Sequence, residues 1–168
     1  MAATFADIVT AAGRADEEIT RAATLLGRDG TSPDSLLELA DHLVDAVRVT
    51  GTDVTFRRTG HHVLAPAVAD DALRIIQEGL TNSMKHAPGA PVSVTLEVTA
   101  TGLNVDIING PARSAPLELD GSGGAGLLGM TERVKAHGGQ LSAGPVPGGG
   151  WRVAAILPST AGEGITRP

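Results

Sequence analysis

Residues 77–87 read QEGLTNSMKHA and gather a carboxylate (Glu78), an amide (Asn82), an ammonium (Lys85) and an imidazole (His86). At about 100° per residue on a helix, Glu78, Asn82 and Lys85 fall within roughly 60° of one another. Leu73, Ile76, Leu80 and Met84 take the opposite face. Such a polar face is either solvated surface or the wall of a pocket. The solvated face is the plainer reading of this helix alone, and two details weaken it. Ile75 and Gly79 lie between the two faces, so the polar side is not uniformly suited to water. Asn and Gly are also poor helix formers, with no local reason to sit mid-helix. In a pocket, the Asn82 oxygen suits a hard cation such as Mg²⁺, which takes few protein ligands and keeps waters and phosphate oxygens. Lys85 can neutralise phosphate as a point charge. Glu78, one turn earlier, can hold a water or accept a proton.

A second candidate is the glycine run GSGGAGLLGM, residues 121–130. It contains G-x-G-x-x-G at Gly121, Gly123 and Gly126, but the dinucleotide reading fails. The run follows a long loop rather than a strand, and no crossover to a parallel strand is evident. No Gly-Lys-Ser/Thr is present either, which removes the phosphate-loop NTPases. What remains is a glycine run entering a helix at Gly126-Leu127, whose exposed amides favour an anion. A plain linker is the other reading. The matching cation site on the polar helix favours the anion.

These residues need a scaffold, and the hydrophobic pattern supplies one. Residues 3–28 read as a helix with Phe5, Ile8, Ala12, Ala15, Ile19, Ala22 and Leu26 on one stripe, suited to a partner helix, a homodimer seam or its own domain. A second helix starts at Ser32-Pro33, a hydroxyl cap with proline at the first helical position, and stops near Gly51. DVTFRR reads as a strand. Pro66 opens the helix bearing the polar face, and Pro88-Gly89 closes it. VSVTLEV and LNVDIIN form an antiparallel hairpin about Thr101-Gly102. The aperiodic stretch 110–125 is long enough to be functional. A short helix GLLGMTERVKAHGG and a last hairpin, QLSAG with WRVAAILP, complete the chain before a tail from Ser159.

This order predicts an α/β two-layer sandwich, a mostly antiparallel sheet with helices on one face, and not a parallel crossover pattern. The expected divisions are an N-terminal helix over 1–30, one domain over 31–158 and a tail over 159–168.

Composition narrows the function. A chain of 168 residues with 42% hydrophobic and 19% charged residues suits one globular domain. One Trp, two Phe and no Tyr, with a net charge of −6, argue against nucleic-acid binding. No cysteine fits a reducing cytoplasm. No apolar run approaches the roughly 18 residues a membrane span needs, and MAATFADIVTAAGRADEE lacks the pattern of a secretion signal.

RIIQEGLTNSMKHA, GAGLLGMTERVKAHGG and GGGWRVAAILP, in this order and spacing, resemble the ATP-binding catalytic domain of sensor histidine kinases. That family belongs to the GHKL ATPases, with gyrase and the heat-shock and mismatch-repair ATPases, and the likeness is greatest to the NarL/DesK-type subclass. It covers about residues 15–158. The resemblance implies a Bergerat α/β sandwich that binds ATP and Mg²⁺. Asn82 would be the magnesium ligand, and Glu78 the base or water-holding carboxylate. Lys85 and His86 would contact phosphates or ribose. Gly124, Gly126 and Leu127 would form the second glycine box, continued by Gly129 and Met130. Residues 110–125 would be the ATP lid. The partner would be a phosphoacceptor histidine element or a response regulator.

The sequence departs from that family in three places. The first glycine box, Asp-x-Gly-x-Gly, is replaced by NGPAR, with Asn109 for Asp, Pro111 for the first Gly and Arg113 for the second. Leu103, Val105, Ile107 and Asn109 share one strand face, so Asn109 can point into the pocket, and its side-chain oxygen can accept as a carboxylate does. Trp151 stands where a threonine is often found. None of His42, His61, His62, His86 and His137 has the acidic and basic neighbours of a phosphoacceptor, and His42 and His137 read as ordinary, partly exposed helical residues. A protein-histidine kinase catalytic domain is therefore the expected function. A nucleotide-gated or nucleotide-blind interaction module and an anti-sigma-type serine kinase are the alternatives.

Overall fold

A computed structural model describes residues 33–114 and 125–159. The first helix, α1 (Pro33–Val49), begins at the proline expected to start it and ends just before Gly51. It buries Leu36, Leu37, Ala40, Leu43 and Val44. Strand β1 (Val54–Thr59) follows, joined to α1 by Arg48, whose guanidinium donates to the Val54 carbonyl oxygen from Nε at 3.0 Å and Nη2 at 2.8 Å. Arg58 on β1 also pairs with Asp41 on α1.

Helix α2 (Pro66–His86) starts at the expected proline, whose fixed φ and missing N–H suit a first helical turn. Leu73, Ile76, Leu80 and Met84 are buried, as their spacing requires, and so are Ile75 and Gly79. The hairpin β2 (Val92–Thr99) and β3 (Gly102–Asn109) is antiparallel, with Leu96 opposite Val105. Helix α3 (Ala125–Ala136) ends where Gly139 N–H donates to the Val134 carbonyl at 3.0 Å and Gly138 takes φ 70°, a left-handed helix stop that glycine accepts without strain. The last hairpin, β4 (Gln140–Pro145) and β5 (Trp151–Pro158), is also antiparallel.

The strands form one sheet in the order β1-β2-β3-β5-β4. Three of the four pairings are antiparallel, but β1 and β2 run parallel, joined by the crossover through α2. The sheet is thus mostly antiparallel, as expected, and the exclusion of a parallel crossover is corrected for this one unit. Alternation fixes which face of a strand is apolar but says nothing of its partner's direction. The buried sides of β2, β3 and β5 meet the helices in one core, and the other face carries polar pairs. There, the hydrogen bond from Arg152 to Asp106, and secondarily the charge of that carboxylate, raises the guanidinium pKa. Residues 3–28 and the tail beyond 159 lie outside the described residues, as does most of the expected lid. No helix among the described residues is long and apolar enough to cross a membrane.

Candidate functional site

A cavity of about 410 Å³ opens between the C-terminal half of α2 and the ends of β3 and β5, with Leu127 of α3 at its side. That is within the roughly 300–1,000 Å³ usual for small-molecule sites. Helix α2 contributes Gly79, Asn82, Ser83 and His86, and β3 contributes Ile107 and Asn109. Gly150, Trp151 and Val153 close the side formed by β5.

The position of Gly79 has a tertiary cause. A Cβ there would collide with Cδ1 of Ile107 and lie 3.4 Å from its Cγ2, so with Ile107 in this rotamer glycine lets α2 sit this close to β3. Gly126 answers the same need on the other side of α2. A Cβ at Gly126 would collide with Glu78 Oε1 and lie 2.8 Å from its Cδ. The Glu78 carboxylate therefore fills the space beside the first turn of α3 that a side chain at Gly126 would need.

The structure brings together Asn82, His86, Asn109 and Leu127 of the residues expected at the site. Glu78 is half-buried between the cavity helix and Gly126. Lys85 is half-buried and follows Met84 on the last turn of α2, but it does not line the cavity. Gly129 has open space where a Cβ would be, and it too stands apart. Met130 is placed in the core, 2% exposed, because it shares the inward side of α3 with Val134. Its side chain does not reach the cavity. Gly124 lies outside the described residues.

Among the described residues, no hydrogen bond or ion pair engages the side chains of Glu78, Asn82, Lys85 or His86. Asn109, by contrast, is held. Only 7% exposed, it donates from Nδ2 to the Gly110 carbonyl at 2.8 Å, which fixes its oxygen on the Ser83 side. Ser83 has one proton, and its hydroxyl donates to the Gly79 carbonyl at 2.8 Å. Its 3.5 Å approach to Asn109 Oδ1 is then at the limit of a hydrogen bond, and Oδ1 keeps acceptor capacity toward the cavity.

Sequence reasoning missed Ser83 and the apolar floor of Ile107 and Val153. Trp151 stood out in the sequence as a departure, but its place opposite Asn109 in the β3–β5 ladder needs the register. His42 is exposed on α1, as expected. His137 lies just past α3 rather than on it, with Nε2 2.8 Å from Asp71 Oδ2, and Arg133 donates to the other oxygen at 2.9 Å.

Residues 67–161 match the family described as histidine kinase-, DNA gyrase B- and HSP90-like ATPases. The chain is similar to the signal transduction histidine-protein kinase/phosphatase DegS of Brevibacillus brevis, 35% identical over 116 residues, covering 68% of this chain and 30% of that protein. It is also similar to the sensor histidine kinase LnrJ of Bacillus subtilis (strain 168), 28% identical over 109 residues, 64% of this chain and 26% of that one. The chain thus spans under a third of the length of these relatives. Its fold is similar to the histidine kinase domain of the Erythrobacter litoralis EL346 blue-light activated histidine kinase, with TM-score 0.60 and 19% identity, over 90% of this chain and 75% of that one. With a match over more than half its length, the chain belongs to the histidine kinase-, DNA gyrase B- and HSP90-like ATPase family, as an ATP-binding domain of the sensor-histidine-kinase kind.

Proposed function

We propose that the cavity binds Mg-ATP and that the chain passes the γ-phosphate to a histidine on another element or chain. The observation that carries this reading is the convergence of Asn82, His86 and Asn109 on one cavity, with Asn82 and His86 free of partners among the described residues. Asn109 Oδ1 would accept a hydrogen bond from the adenine amino group. A neutral amide does this more weakly than a carboxylate.

Among the described residues there is no cluster of three or more metal-ligating side chains. A metal at this site would take most of its ligands from phosphate and water, which suits Mg²⁺ and the single Asn82 oxygen. The ion would supply neutralisation of phosphate charge. Glu78 would hold a water or receive a proton, and Lys85 and His86 would meet phosphate or ribose. The free first-turn amides of α3 at Gly126 and Leu127 would face the phosphates, and Gly129 and Met130, deeper in the helix, would hold that turn in place. Phosphoryl transfer needs little covalent chemistry from the protein beyond positioning and charge stabilisation.

The acceptor would be a histidine-bearing helix element, with a response regulator downstream, and residues 3–28 would serve as a homodimer contact. The chain would work in the cytoplasm. Incubating the full chain with γ-labelled ATP, Mg²⁺ and a phosphoacceptor helix pair tests the proposal. Acid-labile label on histidine is expected, and no transfer to any such acceptor would remove the kinase reading. A second reading, an interaction module without transfer, is favoured by Pro111 and Arg113 in place of glycines. It requires that Glu78→Ala and Asn82→Ala leave partner binding intact.

A further inference from the structure

We infer that Trp151 is the aromatic wall against which the base of the bound nucleotide packs, and that this contact supplies affinity that the neutral Asn109 does not. The inference rests on the nucleotide reading above. Trp151 opens β5 on the same strand face as Val153, Ala155 and Leu157, which are all buried against the helices. Its indole is therefore directed to the helix side of the sheet. Unlike the other three it is 42% exposed and borders the cavity, so its apolar surface is left partly uncovered by the protein.

The register explains where that surface lies. Trp151 stands directly opposite Asn109 on β3 and Pro145 on β4. Directly opposed residues have Cβ atoms about 4.5–5.5 Å apart on the same face. Indole and amide thus flank one end of the cavity. Gly150 makes the closeness feasible, since its φ is 108° and a Cβ there would collide with the Asn109 carbonyl oxygen. The neighbouring cavity floor is Ile107 and Val153. An apolar floor, an aromatic side and one neutral acceptor suit a flat heteroaromatic ring with an exocyclic amino group. Stacking is tolerant of ring identity, because every base has a π face.

Trp151 is the chain's one tryptophan, so its fluorescence reports on this position alone. Full-length protein is titrated with Mg-ATP by calorimetry and by intrinsic fluorescence, beside Trp151→Ala, Trp151→Phe and a base-free probe, inorganic tripolyphosphate. The expected result is a change of indole emission that saturates with ATP and is absent with tripolyphosphate. Trp151→Ala should weaken ATP about tenfold while Trp151→Phe stays within about threefold. Tripolyphosphate should bind the unaltered protein and Trp151→Ala alike. ATP binding within a factor of two in Trp151→Ala, tighter binding in it, or unchanged indole emission at saturation would overturn the inference and leave the nucleotide reading intact. Equal losses of ATP and tripolyphosphate in Trp151→Ala would also overturn it, as a structural effect. No ATP binding by the unaltered protein would instead remove the nucleotide reading and this inference with it.

Discussion

The Glu78 carboxylate on α2 occupies the place that a side chain at Gly126, at the start of α3, would take. Gly126→Ala must push Glu78 aside or lift the first turn of α3. Alanine is the better helix former, by about 1 kcal/mol, so the fold should not suffer. The expected outcome is an unchanged or raised melting temperature with phosphoryl transfer reduced on the order of 100-fold, as for other small misplacements of reacting groups. Parallel thermal melts and single-turnover transfer measurements check this.

Gly79→Ala should act differently. Its Cβ meets Cδ1 of the buried Ile107 side chain, which must turn toward the cavity or let α2 lift from β3. Overpacking of this kind costs about 1–3 kcal/mol. Urea denaturation should show that loss, and adding Ile107→Val should restore part of it by removing Cδ1. Equal stability of the single and double variants would count against the close approach of α2 to β3.

Asn109→Ala should erase the preference for adenine over guanine nucleotides. The Asn109 oxygen, held by the Nδ2 bond to Gly110, can accept from an amino group but faces the carbonyl of guanine as one acceptor to another. The substitution also removes that bond, so a loss of about 1 kcal/mol in stability is expected. Competition of ATP and GTP for the unaltered protein and the variant reads the ratio directly. A ratio unchanged by the substitution would contradict this role.

Asp71→Ala should loosen the far end of α3. Asp71 receives both His137 and Arg133, and its side chain and that of His137 are only 17% and 16% exposed. Losing both partners at a half-buried site should cost about 1–3 kcal/mol. Arg133→Ala, at a side chain 46% exposed, should cost under about 1 kcal/mol. Chemical denaturation of the two variants distinguishes them.

Much of the fold was legible because local chemistry and tertiary structure agree. Pro66 starts α2, alternation in VSVTLEV and LNVDIIN places the β2–β3 hairpin, and the GG pair ends α3. The parallel pairing of β1 with β2 was not legible, since strand direction depends on where the intervening helix packs. The site divides similarly. Asn82 could be placed from helical spacing and Asn109 from strand alternation, but the same spacing also pointed to Lys85, which does not line the cavity, and His86 came from the family resemblance. Gly79 is explained only by Ile107 on another element, and Ser83 by hydrogen bonds to Gly79 and Asn109. Met130 shows the converse, because membership of a motif did not reveal that its side chain turns into the core.

The most direct measurement is a calorimetric titration of this protein with ATP, with and without Mg²⁺, beside Asn82→Ala. Binding strengthened by Mg²⁺ is expected, with the magnesium dependence lost in the variant. No binding at millimolar ATP, or binding indifferent to both Mg²⁺ and Asn82, would contradict it.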